Sequence, residues 1–115
     1  MSSIALAVLL IAGNFFNSSQ TIKPAEARLH DGETVTVCGK VQNEFTATAS
    51  KGKPTFLDLD STFPEQVFKL LVWDADRPNV GDLPRTGSRV CATGSISYFR
   101  GVPQMIIKSS GQLRH

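Results

Sequence analysis

Cysteine, histidine and net charge are all scarce in this chain, and each shortage removes a class of function. Its 115 residues include two cysteines and two histidines. Cys38 and Cys91 lie far apart, so no C-x-x-C motif is present to carry dithiol redox chemistry. His30 and His115 stand at opposite ends, and no Ser/His/Asp or Cys/His constellation can be drawn around either. The formal net charge is only +2. A protein that held duplex DNA chiefly through its phosphates would carry more. Any nucleic-acid role must therefore rest on a local patch and on stacking. With 41% hydrophobic residues the chain has apolar material for one modest core, and so for one domain.

Long apolar runs are also missing. The longest, Ile4 to Gly13, is too short to cross a bilayer comfortably and has the length of a signal-peptide core. Polar residues follow it (Asn14, Asn17, Ser18, Ser19, Gln20), and no cysteine stands there to take a lipid. No Lys or Arg precedes the run and no A-x-A-like site ends it, so a buried helix is the competing reading. The run is uniformly apolar with no amphipathic period, which favours an export signal. The expected organisation is a signal peptide over 1–21, a domain over 22–108 and a polar tail over 109–115. The expected location is periplasmic or extracellular. No other segment is expected to span a membrane.

What is present is a set of short alternating segments. Thr55 to Asp60 places Leu57 and Leu59 on one face and Phe56, Asp58 and Asp60 on the other. Val67 to Trp73 is apolar except for Lys69, which suits a central strand. Thr34 to Val41 turns Val35, Val37, Gly39 and Val41 inward, and Gly39 is expected to mark a bulge or bend. Ser88 to Ile96 turns Val90, Ala92, Gly94 and Ile96 inward, and Pro103 to Lys108 closes the series after a turn at Arg100-Gly101. Gln42 to Lys53 reads as a polar hairpin loop with Phe45 as its only large apolar side chain. Asp74 to Gly87, dense in Pro, Gly and Asp, reads as a long excursion. A short helix is expected over Ile22 to Asp31, with Pro24 in its first turn and Gly32 as terminator. Glu26 and His30 lie four apart there and read as a solvated helix face. Asp58, Asp60, Asp74 and Asp76 do not have the spacing of a calcium loop, and no metal or other cofactor is expected. Five strands follow from this count, roughly 34–41, 55–60, 67–73, 88–96 and 103–108. An open antiparallel sandwich competes with a closed barrel, which better explains the absence of a spare edge strand.

The stretches Gly32 to Val41, Thr55 to Asp60, Val72-Trp73, Val90 to Ile96 and Tyr98 to Met105 together resemble the oligonucleotide/oligosaccharide-binding (OB) fold family. The likeness is to its small exported bacterial members described as nucleic-acid-binding, and it covers about residues 25 to 108. It implies an all-β, five-stranded Greek-key barrel preceded by a short helix. The family's usual helix between the third and fourth strands is not evident in Asp74 to Gly87. The resemblance also implies a ligand surface on the second and third strands. Phe56 and Trp73 would be stacking platforms there, Tyr98 and Phe99 would lie at the closing loop, and Lys51, Lys53, Lys69 and Arg100 would follow a backbone. Asp58 and Asp60 share the outward parity of Phe56 and would repel phosphate. Each aromatic has a competing role as satellite core.

Cys38 and Cys91 fall on the first and fourth strands, which are neighbours in such a barrel, so a cross-strand disulfide is geometrically possible. Two free thiols or a redox pair are the competing readings, and the bond is favoured if the protein is exported. Some nucleases of this fold use a carboxylate–arginine site, which Asp58, Asp60 and Arg100 could imitate. No second motif supports it, so no enzymatic activity is expected. Two functions remain: an exported module binding single-stranded nucleic acid, or an exported barrel binding a protein or small molecule.

Overall fold

A computed structural model describes residues 20–62 and 64–115. The expected signal peptide lies, over residues 1–19, outside the described residues. Among the described residues eight strands appear in place of the five expected. They are β1 (Thr21–Ile22), β2 (Thr34–Thr46), β3 (Thr55–Leu59), β4 (Lys69–Val72), β5 (Arg89–Ser95), β6 (Ser97–Phe99), β7 (Val102–Ile106) and β8 (Leu113–Arg114). The sheet order is β6-β7-β4-β3-β2-β5-β8, with β1 paired in parallel to β2.

The inward parities read from the alternation hold. Val35, Val37 and Val41, Leu57 and Leu59, and Val90, Ala92 and Ile96 all lie in one core, which Leu70, Val72 and Met105 join. Full burial of each large side chain contributes about 1.5–3 kcal/mol. The expected helix is a 3-10 helix, Pro24–Leu29, whose Glu26 Oε1 accepts a hydrogen bond from the Lys23 backbone N–H at 2.7 Å. His30 pairs with Glu33 and not with Glu26, its Nδ1 lying 2.9 Å from Glu33 Oε1. Ala27 of this helix is fully buried in the core. Gly39 explains how the helix approaches so closely. A Cβ there would lie 2.6 Å from Pro24 Cγ and 2.9 Å from Asp60 Oδ1. Gly39 is thus a close-approach residue, and the expected bulge comes later, where the β2–β3 register shifts between Val41 and Asn43.

That irregularity lets one long strand serve two partners. The first half of β2 pairs with β5 from Thr34↔Ser95 to Lys40↔Arg89, and the second half pairs with β3 from Val41↔Leu59 to Thr46↔Thr55. Much of the expected hairpin loop is therefore strand. The outward side chains of the β2–β5 ladder join in directly opposed pairs. Thr34 Oγ1 lies 3.2 Å from Ser95 Oγ, Thr36 Oγ1 lies 2.7 Å from Thr93 Oγ1, and Cys38 is disulfide-bonded to Cys91.

The excursion after β4 is not a strand, but it does hold a helix, unlike the expectation. A 3-10 turn, Asp74–Asp76, runs into α1 (Arg77–Val80). Pro78 is tolerated within the first helical turn, Gly81 ends the helix at φ 78°, and Val80 joins the core.

The hydrogen-bonded ladders run as one sheet of eight strands in place of the five expected; β5 and β6, separated by Ile96 alone, pair with β2 and with β7 respectively. Two further features flank β5. β8 occupies the edge of β5 through Cys91↔Arg114 and Ala92↔Leu113. Where β5 nears β7 the contact is through a side chain, a Cβ at Gly94 falling 3.0 Å from Met105 Cγ. The residues after Ser109, polar in sequence, are docked: Gln112 Nε2 donates to the carbonyls of Thr93 and Ile106, and Gln112 Oε1 accepts from the Lys108 N–H. The fold is mostly β-sheet with a few short helices, in keeping with the all-β class expected.

Candidate binding site on the outer sheet face

The alternation that buries Leu57, Leu70 and Met105 sends their neighbours to the opposite face of the sheet. Two rows result from the strand register. One runs Asn43, Asp58, Lys69, Gln104, Ser97, and the next runs Phe45, Phe56, Leu71, Ile106. Phe99, two residues from Ser97 on β6, shares that face.

A groove of about 330 Å³ lies on it, lined by Ser50, Lys51, Pro54, Phe56, Leu71, Trp73, Phe99, Arg100 and Gln104. This is the lower end of small-ligand pockets, roughly 300–1,000 Å³. Five of the eight residues expected at the site, Lys51, Phe56, Trp73, Phe99 and Arg100, therefore line one cavity. Lys69 joins them through its rings: its Nζ lies 4.9 Å from the Phe56 centroid and 5.8 Å from that of Phe99. The Arg100 guanidinium lies 5.2 Å from the Phe99 centroid. Arg100 reaches this place through a left-handed backbone, φ 52°, in the turn that Gly101 completes.

Trp73 is half-buried and forms a wall. Its far side borders a second, more open hollow of about 450 Å³ with Gly52, Lys53, Asp74 and Ala75. Gly52 fixes the indole, because a Cβ there would lie 2.8 Å from Trp73 Cε3. The Asp74 N–H donates to the Gly52 carbonyl at 3.1 Å, tying the β2–β3 loop to the end of β4. Lys53 thus lines this second hollow, whereas Lys51 and Arg100 line the first.

Tyr98 is not in the groove. Its hydroxyl donates to the Arg28 carbonyl at 2.9 Å, and the ring lines a separate hollow with Ala25, Arg28 and Pro103. It anchors the first 3-10 helix.

Asp58 does share the outward parity of Phe56, but it is 5% exposed. Burial raises its carboxyl above the ordinary carboxylate value of 3.8, against a hydrogen bond from Asn43 and the charge of Lys69. Asp60 stands apart in a turn at φ 68°, where its Oδ1 accepts from the Lys40 N–H at 2.8 Å.

Phe45 and Gln104 are outer-face residues that the sequence reading did not select. Phe45 is directly across from Phe56 and 58% exposed. Its signal was the continued alternation beyond Val41. Gln104 lay within a segment read only as a closing strand.

No protein-family model matches the chain, and no curated protein matches it. Solved structures do match. A Leishmania major protein described as an aspartyl-tRNA synthetase aligns over 85% of this chain and 21% of its own length, at 14% identity and TM-score 0.54. The chain thus spans about a fifth of that structure. A Klebsiella pneumoniae protein described as a nucleic-acid-binding lipoprotein aligns over 81% of this chain and 92% of its own, at 14% identity and TM-score 0.52. At these identities the likeness is one of fold. Among the described residues no helix is long and apolar enough to cross a membrane.

Proposed function

We propose that this chain is an exported binding module that holds single-stranded nucleic acid in the groove between Phe56, Trp73 and Phe99, with Lys51, Lys69 and Arg100 following the backbone and no catalytic step. The observation that carries the reading is the convergence of three rings and three cations on one sheet face. The likeness of fold to a protein described as nucleic-acid-binding supports it. Export is supported by the disulfide, which persists in oxidising compartments, and by the apolar run at Ile4 to Gly13.

Binding on this reading is an exchange. In the free protein Lys69 and Arg100 cover the ring faces, a contact contributing about 0.5–1 kcal/mol at exposed sites. An incoming phosphate draws the cations away, and a base takes their place over the ring. Stacking contributes about 1–3 kcal/mol per base, so the exchange favours the ligand. Lys53 offers a further contact to a strand that passes over Trp73. Tyr98 contributes by holding the helix beneath.

A salt titration of labelled single strands tests this. Three phosphate contacts give a slope of log K against log salt of about −2 for single strands. Replacing Trp73 with Ala weakens binding by about 1–3 kcal/mol without unfolding the protein. Absent or salt-insensitive binding would instead assign the groove to a protein or small-molecule partner.

A further inference from the structure

Gln104 carries an oxygen that the fold leaves without a hydrogen bond. The residue pairs with Lys69 on β4 and with Ser97 on β6, so its amide lies in the polar row of the outer face. It is 7% exposed, lines the groove, and its Oε1 is buried with no hydrogen-bond partner. Native proteins satisfy the large majority of such atoms, and an orphaned acceptor is costly. A Met or Leu of similar volume would fill the same space without that cost, so packing gives no reason for an amide there. The atoms around it do. Phe56, Trp73 and Phe99 offer flat apolar faces, and a polar group among ring faces is how a site holds a base by its edge while its faces stack.

We propose that Gln104 reads the base held in the groove, its Oε1 accepting from an exocyclic amino group, so that amino-bearing bases are preferred over thymine and uracil. Those two bases offer only a ring N3–H set between two carbonyl oxygens, so an Oε1 that accepts from it is repelled by the carbonyl on either side. The oxygen is covered in the free protein. The groove residues free to move are Lys69, the register partner of Gln104 on β4, whose ammonium lies over two rings, and Phe99, on a three-residue edge strand and 47% exposed. The exchange that brings a base over Phe56 thus also uncovers the acceptor. This inference rests on the nucleic-acid reading above and adds base selection to it.

The test compares labelled homo-oligomers of dA, dC and dT on the full chain at one low salt concentration. The expected result is about fivefold tighter binding of dA and dC than of dT, the effect of one net hydrogen bond. Gln104→Met abolishes that preference. An arm on the ligand side needs no variant: replacing adenine with unsubstituted purine, which has hydrogen in place of the amino group, lowers binding of the wild-type protein to the dT level. Equal binding of all strands, tighter binding of dT, or a preference that survives in Gln104→Met overturns base reading and leaves the nucleic-acid function standing. Failure of every strand to bind overturns both.

Discussion

Asp58 and Lys69 stand directly opposite each other across the β3–β4 ladder, the carboxylate buried and the ammonium held over the Phe56 ring. Burial makes the folded protein hold the Asp58 proton more tightly than the unfolded chain does. Below the ordinary value of 3.8 the residue is neutral in both states, and no penalty applies. As pH rises from there through the raised value, the folded state must release the proton into a dry site, and stability falls. Asp58→Asn removes this penalty and keeps a side chain that can bond Asn43. The variant is expected to melt at a higher temperature than wild type at pH 7, with the difference vanishing in acid. It also frees Lys69 from a neighbouring negative charge. Binding of a labelled single strand is expected to tighten by up to about fivefold at low salt, the scale of one charge pair, and the gain to fade as salt is raised. A lower melting temperature at neutral pH would contradict the burial argument.

Gly52 and Gly32 separate backbone strain from damage to the site. Both sit at φ 79°, but only Gly52 has a neighbour in the way, the Trp73 ring. Alanine at either position pays the left-handed penalty of about 1–2 kcal/mol. Gly52→Ala must in addition displace the indole. Trp73 is the single tryptophan of the chain, so its emission reports this directly. Gly52→Ala is expected to shift the emission and to weaken strand binding. Gly32→Ala is expected to lose similar stability with emission and binding unchanged. Unchanged emission in Gly52→Ala would show that the loop does not hold the tryptophan.

How far the sequence made these features legible depends on the range of the interactions behind them. Strand parity is local, and it located Leu57, Leu59, Val90 and Ala92 in the core and turned Cys38 and Cys91 outward; that the two cysteines face each other came from the resemblance, which makes their strands neighbours. The same parity put Phe56 outward, and loop chemistry put Arg100 in the turn beside it. Depth is not local. Asp58 has the outward parity expected of it, yet it is covered because Asn43 and Lys69 flank it on the adjacent strands. Phe45 looked like a loop residue because Gln42, Asn43 and Glu44 are polar, whereas the register shift after Val41 lets the strand continue through them. Tyr98 was misplaced for a similar reason, since its partner is a backbone carbonyl seventy residues earlier in the chain. The strand beside β5 was equally hard to read, because the two-residue β8 gives almost no pattern.

Loss of the disulfide should uncouple stability from binding. Cys38–Cys91 spans 53 residues of sequence, and closing a loop of that length stabilises by about 4 kcal/mol in the chain-entropy model. The bond lies on the β2–β5 ladder, whereas the groove is built on β3, β4, β6 and β7 with the β2–β3 loop. Replacing both cysteines with Ala, or adding reductant to the wild type, is expected to lower Tm by roughly 15–30 °C for a domain of this size. At temperatures where the reduced protein remains folded, strand affinity and Trp73 emission should match those of the oxidised form. A fall in affinity without unfolding would mean that the bond sets the geometry of the groove as well as the stability of the sheet.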